Sequence, residues 1–207
     1  MKVIQQIRFP RKESKNETLV IDDVNHTVGR CGGTPQPKVS FYLLPNNPEL
    51  SEHIQPKTLP LLVVQPVELA AYLDTQGIVY RQSETQVIQA RQNQWAQRLS
   101  PQLTQRITND LRRKQSRYWP APLNASSIQQ EHWKLQVRLQ RFNGVYTGNA
   151  EVAGNWELLN PKGESMLNQE FSFQVPLKDT GYPALVEALS AGVDQLSTQI
   201  ETQLVTR

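Results

Sequence analysis

The spacing of apolar residues near the end of the chain predicts a long helix from about Tyr182 to Thr206. Six apolar residues recur there at steps of three and four: Leu185, Leu189, Val193, Leu196, Ile200 and Leu204. Because residues three and four apart lie on one side of an α-helix, they form a continuous stripe. Such a stripe is more often a face packed on a core than a seam between subunits.

A second helix is predicted around the serine–proline pair Ser100–Pro101. Serine is a favoured N-cap residue, and proline suits the first helical position, so Ser100 is expected to cap this helix. Apolar residues then recur every four positions, at Leu99, Leu103, Ile107 and Leu111. These residues indicate one face directed at a core.

Alternation of apolar and polar residues over 132–175 predicts three antiparallel strands, which form a meander with one buried face. An Asn-Gly pair at Asn143–Gly144 is a strong signal for a tight hairpin turn, and residues 160–163 (NPKG) predict a second turn. Trp133 and Trp156 fall on the inward positions of this alternation. We expect both indoles in the core.

The segment before the first helix predicts shorter elements. Leu59–Val67 is an apolar run between prolines and reads as a buried strand. Residues 68–77 (ELAAYLDTQG) predict one or two helical turns, and Ile78–Gln82 is expected to pair with Gln86–Ala90 as a hairpin.

Together these patterns predict an α+β fold in which two main helices cover a mostly antiparallel sheet that ends in a three-strand meander. Residues 1–39 are rich in charge and lack a sustained period, so we predict a disordered or atypical leader there. Residues 40–207 are predicted to form a single domain.

Composition and motifs exclude several classes of function. The chain has 207 residues, a net charge of +3 and one cysteine, Cys31. It contains no run of 18 or more apolar residues, and its three histidines do not stand at metal-ligand spacing. No P-loop, G-x-S-x-G, H-E-x-x-H or C-x-x-C motif is present. We therefore predict no catalytic residues, no metal site and no cofactor.

Several conspicuous residues allow two interpretations. Trp95 and Trp119 flank the first helix and suit either core plugs or exposed contact residues, since aromatic residues are enriched at interfaces. Leu69, Tyr72 and Leu73 follow a predicted strand closely. They are expected either to anchor the segment in the core or to contact a partner or lipid.

The motifs along the chain, taken in order, resemble one known family. They are FYLLP at 41–45, VVQPVELAAYLDTQGIVYR at 63–81, RQNQWAQRLSPQL at 91–103, FNGVYTGNAEVAGNWEL at 142–158, and the long C-terminal helix. This series is similar to that of the ABC-transport auxiliary lipoproteins typified by paraquat-inducible protein C (PqiC). The likeness covers about residues 40–205.

This resemblance implies a non-catalytic periplasmic component of an intermembrane lipid transport system. Family members are similar in having a lipidated cysteine that tethers the domain to the inner leaflet of the outer membrane. The resemblance also implies docking to a mammalian-cell-entry (MCE) domain protein that forms a conduit, and a homo-oligomeric ring. Cys31 is the lipidation candidate. Leu69, Tyr72, Leu73 and Trp95 are the candidate contacts with partner or lipid.

The residues before Cys31 depart from the family pattern. A signal segment needs about 7–15 apolar residues, but here Leu19–Ile21 is cut short by Asp22 and Asp23. Arg30 stands where a lipobox has a small residue. We therefore expect either that residues 1–30 are not the native leader or that Cys31 is unmodified.

Two other functions remain open from the sequence. A soluble lipid carrier would need an apolar pocket of some hundreds of cubic ångströms. A nucleic-acid-binding domain would use the basic segment from Arg106 to Arg117, and its retention would depend on salt. The resemblance favours neither, and we expect no nucleic acid partner.

Overall fold

Nine strands form one mixed sheet in the computed structural model, which describes residues 38–45 and 59–205. The strands are β1 (Ser40–Tyr42), β2 (Leu61–Val64), β3 (Glu68–Leu69), β4 (Gly77–Arg81), β5 (Val87–Trp95), β6 (Trp119–Pro122), β7 (Trp133–Val145), β8 (Asn149–Leu159) and β9 (Ser165–Pro176). The helices are α1 (Leu99–Lys114), α2 (Ala125–Ile128) and α3 (Tyr182–Val205), and a 3-10 helix spans Ala71–Leu73. The predicted leader, apart from residues 38 and 39, lies outside the described residues.

Strand β7 is paired along both of its edges. Strand β8 runs antiparallel to it from end to end, and β9 continues the meander on the far side of β8. On the other edge, β2, β3 and β4 pair with β7 one after another, and all three run parallel to it. Strand β6 then extends the sheet from β2, while β5 and β1 extend it from β4.

The α+β prediction is confirmed, including the C-terminal meander and the mostly antiparallel character of the sheet. The two longest ladders, β7–β8 and β8–β9, are antiparallel, and the hairpin of β4 and β5 pairs Arg81 with Val87. The short segments β1, β2 and β3 instead join the sheet by parallel pairing. No local sequence pattern predicts this pairing, because the partner strands are far apart in sequence.

Helices α1 and α3 lie against the sheet as the two main helices, as predicted. All the stripe residues are buried: Leu99, Leu103, Ile107 and Leu111 on α1, and Leu185, Leu189, Val193, Leu196, Ile200 and Leu204 on α3. The stripes are therefore core faces. Among the described residues, no helix is both long and apolar enough to cross a membrane.

A buried ion cluster joins the two helices. The carboxylate of Asp110 on α1 is fully buried and accepts a 2.8 Å hydrogen bond from Nε of Arg106. Arg113 forms a second ion pair with this carboxylate, and Ser197 of α3 donates to it at 3.3 Å. Arg106 also donates to Ser190 of α3 at 2.8 Å. The cluster ties α1 to α3 and satisfies charges that would be costly to bury alone.

The prediction that Ser100 caps α1 is wrong. The helix begins at Leu99, and its N-cap residue, Arg98, makes no side-chain capping bond. Instead, the hydroxyl of Ser100 donates to the carbonyl oxygen of Val67 at 2.6 Å, and the amide of Val67 donates to Thr104 at 2.9 Å. The hydroxyls of α1 thus satisfy the backbone that leaves β2, where the sheet offers no partner.

The prediction of a turn at Asn143–Gly144 is also wrong, because β7 continues through this pair and turns at residues 146–148. A Cβ on Gly144 would lie 2.5 Å from the ring of Tyr80, which shows that this glycine serves close packing. Gly148, with φ +90°, supplies the turn conformation instead. The second predicted turn, at 160–163, is confirmed, with Gly163 at φ +84°.

A β-bulge in β7 lies opposite Gly154 of β8. The ladder register shifts between Leu139 and Arg141, which leaves Gln140 as the extra residue. A Cβ on Gly154 would overlap the carbonyl oxygen of Arg138, so the backbones approach too closely for any side chain. Only glycine fits this position without a shift of the strands.

We predict that Gly154→Ala destabilises the domain by about 2 to 3 kcal/mol, because the added methyl group must displace the β7 backbone. Urea unfolding followed by circular dichroism measures the loss. Asn155→Ala, at the half-buried neighbouring position of β8, is the matched control and should change stability by less than about 1 kcal/mol. Equal stability of Gly154→Ala and the wild type would contradict the close approach described above.

Candidate functional site

The candidate contact residues lie within or beside one segment, residues 70–76, which we call the arch. It connects β3 to β4 beside the bulge of β7. Its start is held by the amide of Ala70, which donates to the carbonyl of Leu139 at 2.9 Å. In the 3-10 turn that follows, the amide of Leu73 donates to the carbonyl of Ala70 at 2.8 Å. Its end is held by the amide of Trp95, which donates to the carbonyl of Gln76 at 2.7 Å.

The structure places two of the candidate contacts in the core. Leu73 is 1% exposed and Trp95 is 5% exposed, and the Trp95 ring packs 6.2 Å from the ring of Phe142. Neither side chain is accessible to a partner or a lipid in this conformation. Their position follows from the pairing of Trp95 with Tyr42 and from the 3-10 turn, which directs Leu73 inward.

Tyr72 of the arch and Leu69, the residue that precedes the arch, are both half-buried. The Tyr72 hydroxyl donates a 2.6 Å hydrogen bond to the carbonyl oxygen of Gln140, the bulged residue, and lies 3.4 Å from the amide oxygen of Asn143. Burial raises the pKa of the Tyr72 phenol, and the nearby Arg141 guanidinium only partly offsets this. The arch is thus fastened to the irregular part of β7.

A buried charge cluster lies close to Tyr72. Glu151 of β8 is 2% exposed and accepts a 2.6 Å hydrogen bond from Arg141 through Oε1. Its second oxygen lies 3.8 Å from the Arg81 guanidinium, and neither this oxygen nor Nε of Arg81 has a hydrogen-bond partner among the described residues. The hydrogen bond that Arg141 donates to Glu151 raises the pKa of Arg141.

Glu151 was not among the predicted functional residues. It falls on the polar phase of the β8 alternation, and that phase predicts solvent exposure. Val152 faces α3, since a Cβ on Gly192 would lie 2.5 Å from its side chain, so Glu151 points to the opposite face of the sheet. No sequence signal indicates that this part of the opposite face is covered.

Two grooves border this region. A groove of about 300 Å³ lies between the arch and the start of α1 and is lined by Val67, Leu69, Asp74, Arg98, Ser100 and Pro101. The second, of about 570 Å³, lies on the meander. Its lining is largely polar and includes Gln140, Arg141, Asn155, Asn168, Glu170 and Ser172. Both are open to solvent. The groove beside α1 carries one acidic and one basic side chain, whereas the groove on the meander is lined mainly by amide and charged side chains.

Nothing in the described part of the chain forms a metal-binding group of three or more histidine, cysteine, aspartate or glutamate residues. His132 is described and lies 2.7 Å from the carbonyl of Gln130. Cys31, His26 and His53 lie outside the described residues.

The basic segment of α1 is engaged within the protein. Arg106 and Arg113 pair with Asp110, and Lys114 pairs with Asp194 of α3 at 2.8 Å. Arg112 lies 5.2 Å from the ring centroid of Trp119 and donates to the carbonyl of Pro120. Cations held in this way are poorly suited to contact phosphate backbones.

Comparisons with known proteins agree on one family. The model of the ABC-type transport auxiliary lipoprotein component family matches residues 42–201. The intermembrane transport lipoprotein PqiC of Escherichia coli K12 is 29% identical over 144 residues, which cover 70% of this chain and 74% of that protein.

Two crystal structures share the fold. One, of an uncharacterized protein, is 26% identical with a TM-score of 0.67 and covers 81% of this chain and 99% of its own. The other, of XCC0632 from Xanthomonas campestris, is 19% identical with a TM-score of 0.66 and covers 81% of this chain and 96% of its own.

We predict that the domain loses stability as the pH rises above 10, and that Tyr72→Phe lessens this loss. Below the ordinary tyrosine pKa of 10.0 the phenol is protonated in both states. Above this pH the phenol ionises more readily in the unfolded chain than in the folded one, because burial raises the pKa of Tyr72 in the folded state. Unfolding therefore becomes more favourable as the pH rises. The measurement is the urea midpoint as a function of pH.

Tyr182, whose pKa is also raised by burial, provides the comparison. Tyr182→Phe should lessen the alkaline loss as well, and the double variant should lessen it more than either single one. An alkaline slope in Tyr72→Phe identical to that of the wild type would contradict the partial burial of this phenol against β7.

Proposed function

The chain belongs to the family of ABC-type transport auxiliary lipoprotein components, and we propose that it is a non-catalytic, outer-membrane-associated component of an MCE-type intermembrane lipid transport system. The observation that carries this proposal is the family match over residues 42–201, together with the similarity to an intermembrane transport lipoprotein. The protein would act in the periplasm by holding other components in place.

We propose that Cys31 is the anchor. It is the only cysteine, and nine residue steps separate it from Ser40, where β1 begins. A fully extended leader of this length reaches roughly 30 Å. A single acyl chain binds a membrane weakly, whereas several chains on one cysteine hold stably. The domain would thus stay close to the inner leaflet of the outer membrane.

The arch and its groove are the proposed docking site for the MCE conduit protein. Leu69 supplies a half-buried apolar contact, and Asp74 and Arg98 supply charges of both signs in the same groove. The hydrogen bonds of Ala70 and Trp95 hold the arch at both ends, so little ordering is needed on binding. Tethering both proteins in one envelope raises their effective concentration, so this small surface suffices.

Docking is better supported than the alternative of a soluble lipid carrier. A carrier needs an apolar pocket that encloses most of its ligand. The groove on the meander is open and lined by amides, a carboxylate and a guanidinium. The largest fully buried side chains, among them Trp156 and Phe142, fill the interior between sheet and helices.

We predict that wild-type protein in its native envelope incorporates labelled fatty acid at Cys31 and fractionates with the outer membrane, whereas Cys31→Ser does neither. Mass analysis of the Cys31 peptide identifies the attached group. An unmodified Cys31 in protein isolated from the envelope would refute the anchor. Expression of Cys31→Ser at the wild-type level controls for loss of folding.

A photo-crosslinking amino acid at position 69 should capture an MCE-domain protein in the same cells. Met166 is the matched control, since it is an exposed apolar residue of β9 on the far side of the meander. Equal capture from both positions would contradict docking at the arch. Capture of a second copy of this chain from position 69 would assign the arch to self-association instead.

A further inference from the structure

Three large apolar side chains are exposed in a row at one edge of the sheet. Val39 is 38% exposed, Phe41 64% and Leu43 53%, and they alternate with covered residues. Tyr42 packs 6.4 Å from Tyr182, and Leu44 is buried. Because successive side chains of an extended segment point to opposite faces, the three exposed ones share one face of β1 and the residues on either side of it. We call them the β1 strip.

Within residues 38–45 and in the part of β5 and α1 from residue 85 to residue 109, the charged side chains are all positive. Residues 38–45 contain one charged residue, Lys38, and residues 85–109 contain no aspartate or glutamate. The exposed cations of the latter stretch are Arg91 on β5 and Arg98 at the start of α1. Strand β5 pairs with β1, and α1 contacts the residues that follow β1, since the amide of Leu44 donates to Gln102 at 3.0 Å.

We propose that the β1 strip rests on the phospholipid surface to which the leader is tethered. This inference rests on the proposed function, because the anchor at Cys31 brings β1 within roughly 30 Å of a bilayer. Apolar side chains beside cations suit an interface where acyl chains meet phosphate groups. Once the tether holds the strip near the surface, even partial insertion of three side chains is sufficient for contact.

The size of the strip argues for a bilayer and against a second protein chain. A stable protein interface buries roughly 800 Å² on each partner and has a packed apolar centre. Three side chains on one short edge strand supply only part of such an area. A bilayer needs no shape complementarity, so a narrow strip of exposed apolar residues is enough for it.

Chemical tethering tests this inference independently of native lipidation. The full chain is coupled through Cys31, its only cysteine, to a maleimide lipid in vesicles of phosphatidylethanolamine and phosphatidylglycerol. A tryptophan placed by Phe41→Trp should be quenched several-fold more by bromine-labelled acyl chains than one placed by Met166→Trp on β9. Equal quenching of the two variants, or no quenching of Phe41→Trp, would overturn the proposal.

A second measurement does not depend on the coupling. Untethered wild-type chain should sediment with the same vesicles, and Phe41→Ser should lower the partition coefficient about tenfold, as expected for loss of one large apolar contact. Arg91→Ser should lower it less on neutral phosphatidylcholine vesicles than on anionic ones. Unchanged partition of Phe41→Ser, with circular dichroism matching the wild type, would count against the strip.

The outcomes separate this inference from the proposed function. If native Cys31 proves unmodified, the anchor fails while the vesicle measurements still report on the strip. If native Cys31 is lipidated but Phe41→Trp is not quenched, only the strip fails. If Phe41→Ser changes the oligomeric state of the protein in solution and leaves vesicle partition unchanged, the strip is an interface between copies of the chain and the proposal is overturned.

Discussion

The pairing of β7 along both of its edges is the constraint on which the rest of the fold depends. One edge is occupied by β8, so the chain from β2 to β4 must find its hydrogen bonds along the other edge. More residues lie between β3 and β4 than this edge can pair, and the surplus forms the arch. The bulge at Gln140 then presents the carbonyl to which Tyr72 donates. The arch is therefore a consequence of the sheet register.

Patterns that depend on neighbours in sequence predicted the elements well. The stripes of α1 and α3 and the alternation of the meander are repeated over many residues, and each repeat adds to the same signal. The turn predicted at Asn143–Gly144 was wrong because a glycine required for close packing looks the same in sequence as one required for a turn. Only the ring of Tyr80, distant in sequence, distinguishes the two cases.

The candidate contacts were chosen from the sequence without knowing which of their side chains are exposed. The motif around Leu69 and Tyr72 indicated the arch, but spacing could not show that Leu73 turns inward. Glu151 and Arg81 were not predicted as site residues for the same physical reason. Polar positions in a strand alternation predict solvent exposure, and the residues that cover these two side chains come from elsewhere in the chain. A buried carboxylate of this kind becomes visible only when the tertiary contacts are known.

Trp95 connects the two surfaces to which we assign binding. Its amide holds the end of the arch through Gln76, its backbone pairs with Tyr42 of β1, and its ring packs against Phe142 of β7. A residue considered for direct contact is thus buried at the junction of the arch and the β1 strip. Because the backbone of this one residue is bonded to both, and its ring fixes it in the core, the surface proposed for the partner and the surface proposed for the bilayer keep a fixed relation. For the function that we propose, in which the protein holds a conduit near a membrane, that fixed relation matters more than the strength of either contact.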